Sequence, residues 1–129
     1  MDHISKTALV LFAHGARDPE WSLPMQRVLE TIRSKKPYQR VELAFLEFIA
    51  PNLKNCVECL VLEGFERIAV VPMFIAQGGH IKREVPLLLE ELRKLHPQVS
   101  FEQARVVGEA ESVIQAMTDY VLSVVEKES

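Results

Sequence analysis

The chain has 129 residues, which fits one domain, residues 1–129, built around a single core. Its formal net charge of −3 excludes a general attraction to nucleic acid or to an anionic membrane, so any anionic ligand must be held by local cations. No apolar run reaches the roughly 18 residues that span a bilayer, and the start at Met1 lacks the basic residues and cleavage site of a secretory signal. We therefore expect a cytoplasmic protein with neither a membrane nor a nucleic acid as its partner.

Four apolar runs, each followed by an amphipathic segment, divide the chain. The runs predict buried strands at residues 6–13, 41–46, 68–73 and 99–103. The segments that follow predict helices at about residues 22–36, 51–63, 86–96 and 109–126. Strands joined by single helices run parallel with right-handed crossovers. The predicted fold is therefore a three-layer α/β domain with an open, mainly parallel four-stranded sheet and helices on both faces.

The fourth predicted helix has apolar residues at helical spacing. This spacing predicts that one side of the helix faces the core. The residues expected to face inward are Val113, Ala116, Met117, Tyr120, Val121 and Val124.

Side chains suited to catalysis or metal binding follow each strand at its carboxyl end. His14 follows strand 1, Glu47 follows strand 2, the loop 74–80 ending in His80 follows strand 3, and residues 105–108 follow strand 4. In open parallel sheets, ligands bind beyond the carboxyl ends of the strands, where helix N-termini also point. The order of the chain therefore predicts a functional rim at this edge.

Two histidines and a carboxylate suit a divalent transition metal ion. With only His14 and His80 as histidine ligands, coordination positions stay open, as a catalytic or transfer site requires. Glu47 is a candidate ligand, or a base that accepts protons from a substrate. Nearby cations suit carboxylate or phosphate groups of a ligand, and they are Arg17, Lys82, Arg83 and Arg105.

Each of these residues also has a purely structural interpretation. His14 and His80 fit turns next to glycines, Glu47 fits a solvated or capping group at a strand end, and Lys82-Arg83 fits a hydrated helix start. Cys56 and Cys59 form a C-x-x-C pattern, which is typical of a redox pair or half of a zinc site. We favour two small apolar side chains on one helix face, because no further ligands lie nearby in the sequence.

Several motifs occur in one order along nearly the whole chain. They are HGARDP at residues 14–19, FLE at 45–47 followed by Pro51, VPMFIAQGGH at 71–80, VP at 85–86 and the glycine at 108. With these motifs the sequence resembles the CbiX/SirB group of class II tetrapyrrole chelatases. It departs from the group's pattern at Ala16 and Glu84, where serine and aspartate are expected, and these changes bear on how substrate carboxylates are held.

The resemblance implies insertion of a divalent metal ion, Co²⁺ or Fe²⁺ with Ni²⁺ as a further candidate, into sirohydrochlorin for cobalamin or sirohaem synthesis. It assigns the metal to His14 and His80 and an acidic catalytic role to Glu47. The ion is then the cargo of the reaction, and no permanent cofactor is expected. Relatives with two α/β halves enclose one cleft, so a chain that supplies one half is expected to form a homodimer with the cleft between subunits.

A nickel-specific chelatase is a variant of this enzyme hypothesis. Two other functions compete with it. One is a binding module that carries metal or tetrapyrrole without turnover. The other is a flavodoxin-like or receiver domain, which is disfavoured because strand 1 lacks a following acidic pair and no phosphate-binding glycine loop is evident.

Overall fold

The computed structural model describes residues 6–126, except for the side chain of His80. The strands are β1 (Thr7–Ala13), β2 (Val41–Phe45), β3 (Arg67–Pro72) and β4 (Ser100–Gln103). The helices are α1 (Leu23–Lys35), α2 (Leu53–Leu62), α3 (Gly79–Leu95) and α4 (Glu111–Glu126), with 3₁₀ turns at Pro19–Ser22 and Val107–Glu109. Within the described residues, no helix combines the length and the apolar character needed to cross a membrane.

The sheet has four parallel strands in the order β2-β1-β3-β4. Leu9 of β1 is opposite Val41 of β2 on one side and Ala69 of β3 on the other. β3 pairs in turn with β4, where Val70 is opposite Gln103. The predicted α/β class with a parallel four-stranded sheet is therefore confirmed.

One face of the sheet is sealed by α2 and α3. Phe12 and Val70 of the strands, Leu60 of α2 and Leu89 of α3 are all fully buried in one apolar cluster. Burying a side chain of this size stabilises the fold by about 1.5–3 kcal/mol, so this layer holds the core together.

The opposite face carries α1 and a smaller cluster. Leu11, Val41 and Phe45 are buried there, but the α1 residues that pack on them, such as Val28 and Ile32, are only partly buried. α1 has no fully buried residue. This face is therefore less completely covered than the other.

The prediction that α4 packs its apolar side into the core is wrong. α4 has no buried residue, and Tyr120 is 71% exposed and Val121 61% exposed. Helical periodicity indicates that a helix has an apolar face, but it does not say what covers that face.

Two predicted helix starts also differ from the structure. α3 begins at Gly79 and contains Pro86 inside it, whereas the prediction started the helix near Pro86. The helical turns before Pro86 place Val85 in the core, where it is 1% exposed. α2 begins at Leu53 after Pro51, because the side chain of Asn52 caps it by accepting a hydrogen bond from Asn55 N at 2.8 Å.

Candidate functional site

His14 and Glu47 follow neighbouring strands, and their side chains meet at the carboxyl edge of the sheet. The pairing of β1 with β2 continues past the strand ends, since Leu46 N donates to Ala13 O at 2.9 Å and Glu47 N donates to His14 O at 3.1 Å. His14 Nε2 then lies 3.2 Å from Glu47 Oε1. The structure thus brings together two of the three residues proposed for the metal and acid–base site.

A glycine makes this close approach feasible. Gly15 has φ +93°, and a Cβ atom at this position would collide with the carbonyl oxygen of Glu47. A residue with a side chain would both strain the backbone and push the two loops apart. Gly15 therefore sets the distance between the loops that carry His14 and Glu47.

The imidazole of His14 is held from a second direction by Phe74. The two rings contact edge to face, with centroids 6.2 Å apart and an interplanar angle of 78°. Phe74 is itself buried and contacts Phe12 of β1 in the same manner. The His14 and Glu47 side chains remain 43% and 48% exposed. The pair is therefore oriented by the core and still open to a ligand.

His80 lies in the first turn of α3, after Gly78 at the N-cap, rather than in a loop. Its backbone follows β3 at the same edge as His14, while its side chain lies outside the described part of the structure. In that described part, no group of three or more His, Cys, Asp or Glu side chains is placed to hold a metal ion. The described donors at the rim are the His14 imidazole and the Glu47 carboxylate.

The last loop of the rim packs on the loop after β3. Gly108 N donates to Phe74 O at 2.9 Å. A Cβ atom at Gly108 would collide with the backbone of Ile75. Arg105 is exposed on this loop, so the structure places it at the predicted edge.

The other three predicted cations also lie at this edge. Arg17 stands over the ring of Phe48, with its guanidinium carbon 4.9 Å from the ring centroid. Lys82 and Arg83 are exposed near the start of α3, and Arg83 Nε donates to Gly79 O at 3.2 Å. The first turn of α3 has no acidic residue. Cations at the positive end of a helix dipole do not stabilise the helix. Together with the dipole, they favour the binding of an anionic ligand.

Two aromatic residues of the rim were missed by the sequence reasoning. Phe48 has φ +69° and is 57% exposed, in a tight turn closed by the hydrogen bond from Ile49 N to Glu47 O at 2.9 Å. Phe74 orients His14. No local pattern marks either role, because each depends on a contact between loops that are distant in sequence.

The C-x-x-C pattern does not contribute to the rim. Both cysteines are free thiols in α2, with Cys56 buried and Cys59 exposed. The interpretation as two packing side chains is therefore correct for Cys56 and wrong for Cys59. Burial raises the pKa of the Cys56 thiol to about 11, so this thiol stays protonated and unreactive near neutral pH.

The chain is similar to known proteins both in sequence and in structure. The CbiX family model matches residues 8–124. A sirohydrochlorin cobaltochelatase of Methanococcus aeolicus is 38% identical over 82 residues, which make up 64% of this chain and 57% of that protein. The chain thus spans little more than half the length of this relative.

Two solved structures are similar in fold. A CbiX protein from Marinobacter aquaeolei VT8 superposes with a TM-score of 0.84 and 27% identity, covering 94% of this chain and 98% of that chain. SirB from Bacillus subtilis with Fe³⁺ superposes with a TM-score of 0.74 and 26% identity, covering 87% of this chain but 44% of that chain.

Proposed function

The chain belongs to the CbiX family, and on that premise we propose that it inserts a divalent metal ion, Co²⁺ or Fe²⁺, into sirohydrochlorin. The observation that carries the proposal is the 3.2 Å contact between His14 Nε2 and Glu47 Oε1 at an exposed rim. A neutral imidazole binds transition metals, and a carboxylate beside it accepts protons. Metal insertion requires both functions at one place.

The overall reaction exchanges two pyrrole protons for one metal ion. The hydrated ion loses water ligands, two macrocycle nitrogens bind it in place of their protons, and the protons leave to a base and to solvent. His14 and His80 hold the incoming ion through neutral imidazoles, which leaves positions open for the macrocycle nitrogens. Glu47 accepts a pyrrole proton. The metal is the cargo, so the proposal requires no resident cofactor.

The carboxylates of the macrocycle have cationic partners at the same edge. Lys82 and Arg83 stand at the N-terminal end of α3, where the helix dipole also favours negative charge. Arg17 and Arg105 extend this cationic surface along the loops after β1 and β4. Phe48, beneath Arg17, offers an exposed ring to the flat face of the macrocycle.

The protein is proposed to act as a cytoplasmic homodimer with the substrate cleft between two rims. This proposal is supported by lengths: the described fold matches 44% of the SirB chain, which leaves room in SirB for a second unit of the same size. A flat macrocycle on one open rim is covered on one side alone, and a second copy would cover the other.

A spectrophotometric assay tests the proposal directly. Purified protein is mixed with sirohydrochlorin and with Co²⁺, Fe²⁺ or Ni²⁺ in turn, and the change in the macrocycle absorbance is compared with a reaction without protein. We expect faster metallation than the spontaneous rate with Co²⁺ or Fe²⁺. Tight binding of the macrocycle without acceleration by any metal would instead indicate a delivery module and would overturn the proposal. Acceleration with Ni²⁺ alone would replace the proposed metals.

A further inference from the structure

Two large apolar side chains are exposed at the carboxyl edge of the sheet, one in the loop on each side of His14. Phe48 is 57% exposed in the loop after β2, and Ile75 is 71% exposed in the loop after β3. β1, which leads to His14, lies between these two strands. Neighbouring strands are about 4.8 Å apart, so the two loops leave the sheet about 10 Å apart. This span is comparable with the width of a tetrapyrrole ring system.

The backbone that carries each of these side chains is fixed by packing. Phe48 directly follows Glu47, whose backbone is bonded to the loop after β1 by the hydrogen bond from Glu47 N to His14 O at 3.1 Å. Ile75 directly follows Phe74, whose ring contacts the imidazole of His14. The backbone of Ile75 also packs so closely on the last loop that only a glycine fits opposite it. Both exposed side chains are therefore held at set positions beside His14.

The backbone conformation of Phe48 is unusual for a bulky residue. Its φ of +69° lies in a region that side chains other than glycine rarely adopt. The hydrogen bond from Ile49 N to Glu47 O at 2.9 Å closes a three-residue turn around it, and the form of this turn with positive φ is strained. A glycine would adopt the turn without strain. Strained residues cluster at ligand-binding sites, and an exposed phenyl ring on a strained turn has the character of such a residue.

Cations flank the two apolar side chains. The guanidinium carbon of Arg17 is 4.9 Å from the centroid of the Phe48 ring. On the other side, Lys82 and Arg83 are exposed near the start of α3, and Arg105 is exposed after β4. Apolar contacts with cations around them fit a flat apolar ring that has carboxylates at its periphery. A hydrated metal ion has no use for such apolar contacts.

We propose that Phe48 and Ile75 together bind the face of the tetrapyrrole macrocycle and position its centre over the His14–Glu47 pair. This inference rests on the proposed function and deepens it. It adds Ile75 as a second contact, and it separates the residues that bind the ring from those that bind the ion. Because the contacts with the ring are apolar, metal-free sirohydrochlorin binds to them before the ion arrives.

The first test removes both apolar side chains. For Phe48→Asn with Ile75→Asn, the Kd for metal-free sirohydrochlorin is expected to rise at least about thirtyfold, because two apolar contacts with the ring are lost. Asparagine tolerates a positive φ, so the turn at residue 48 is retained. The matched control is Tyr38→Asn with Leu62→Asn at the amino end of the sheet, where these side chains are 57% and 86% exposed. The control is expected to stay within about twofold of wild type. Absorbance titration measures both constants.

Binding of Co²⁺ alone separates the ring contacts from the metal ligands. In isothermal titration calorimetry, the variant of Phe48 and Ile75 is expected to bind Co²⁺ within about twofold of wild type, whereas His14→Ala is expected to bind it at least about tenfold more weakly. Ring affinity that is unchanged in the double variant would overturn the proposal. So would a wild-type protein that does not bind metal-free sirohydrochlorin, or a double variant that loses Co²⁺ and ring affinity alike.

The strained turn provides a second test. Phe48→Gly is expected to weaken ring binding at least about fivefold without lowering Tm, since glycine relieves the strain and the lost side chain is mostly exposed. Phe48→Trp retains an aromatic ring and is expected to bind sirohydrochlorin within about threefold of wild type. A Tm of Phe48→Gly that is lower by more than about 5 °C would show that the phenyl ring holds the loop together, which contradicts the proposal.

Sedimentation velocity distinguishes a substrate contact from a contact between subunits. The double variant of Phe48 and Ile75 is expected to have the oligomeric state of wild type, and its dissociation alone would overturn the proposal. Sirohydrochlorin bound through these two residues without faster metallation would refute the proposed function and leave this inference standing. Faster metallation by wild type, with unchanged ring affinity in the double variant, would have the reverse meaning.

Discussion

The two ends of the β-sheet use charge differently. At the amino end, Arg40 donates from Nη1 and Nη2 to the two carboxylate oxygens of Glu63 at 2.7 and 2.9 Å, and from Nε to Glu42 at 2.7 Å. The two hydrogen bonds from Arg40 to Glu63 lower the pKa of the Glu63 carboxyl below its usual value. At the carboxyl end, His14 and Glu47 make one longer contact and the cations face outward. Charges that are satisfied by each other stabilise the fold, whereas charges left open can serve a ligand.

The largest expected effect on activity comes from removing the half-exposed imidazole of His14. His14→Ala is expected to lower kcat/KM for metallation about a thousandfold, because the proposed metal ligand is lost while a half-exposed side chain leaves little cavity. The same assay with His96→Ala provides the control, since His96 ends α3 at the opposite edge. Equal losses of kcat/KM in both variants would contradict the assignment of the reaction to the carboxyl end of the sheet.

The next largest effect is expected at Glu47, the proposed proton acceptor. Glu47→Gln keeps the shape of the side chain but removes its basicity, so kcat is expected to fall about a hundredfold with a smaller change in KM. Steady-state metallation kinetics with Co²⁺ varied at saturating sirohydrochlorin measure the two parameters. A rise in KM for the metal with kcat unchanged would instead make Glu47 a ligand and not a base.

A smaller effect is expected from the cations at the start of α3. Lys82→Ala combined with Arg83→Ala should raise KM for sirohydrochlorin about tenfold with kcat nearly unchanged, because these residues would bind the substrate carboxylates in the ground and transition states alike. Lys35→Ala with Lys94→Ala removes the same charge at the opposite end of the sheet, where α1 and α3 end. If that control raises KM as much, the effect belongs to overall charge and not to this end of the sheet.

The smallest effect on activity is expected at the amino end. Arg40→Met should lower Tm by about 4 °C and leave kcat/KM within about twofold of wild type. The pH dependence has a defined sign. Since the folded pKa of Glu63 is lowered, its pairing stabilises the fold above the unfolded pKa, and this stabilisation is lost as pH falls through the folded value. Calorimetry should therefore show the Tm difference between variant and wild type narrowing in acid.

The contact between His14 and Glu47 was within reach of sequence reasoning. Two apolar runs joined by one helix indicate parallel strands, and the residues that follow neighbouring strands meet at one edge. The positive φ at Phe48 and the ring contact of Phe74 with His14 could not be predicted from the sequence, since they arise from how separate loops pack. The start of α3 was misjudged because Pro86 looked like a first-turn residue, although the helix tolerates it in its interior.

The misplaced burial of α4 has a different origin. Its apolar spacing was recognised, but an apolar face has the same sequence signature whether it packs on its own chain or on another. Val121 and Tyr120 are exposed in the structure, so helical spacing alone did not predict their burial.

The central claim is that His14 and His80 bind one and the same metal ion. X-ray absorption at the cobalt edge, on protein loaded with one equivalent of Co²⁺, counts the imidazoles around the ion. We expect two imidazoles in wild type and in His96→Ala, and one in each of His14→Ala and His80→Ala. An unchanged count in either rim variant would contradict the claim, because the ion would then be bound by other residues.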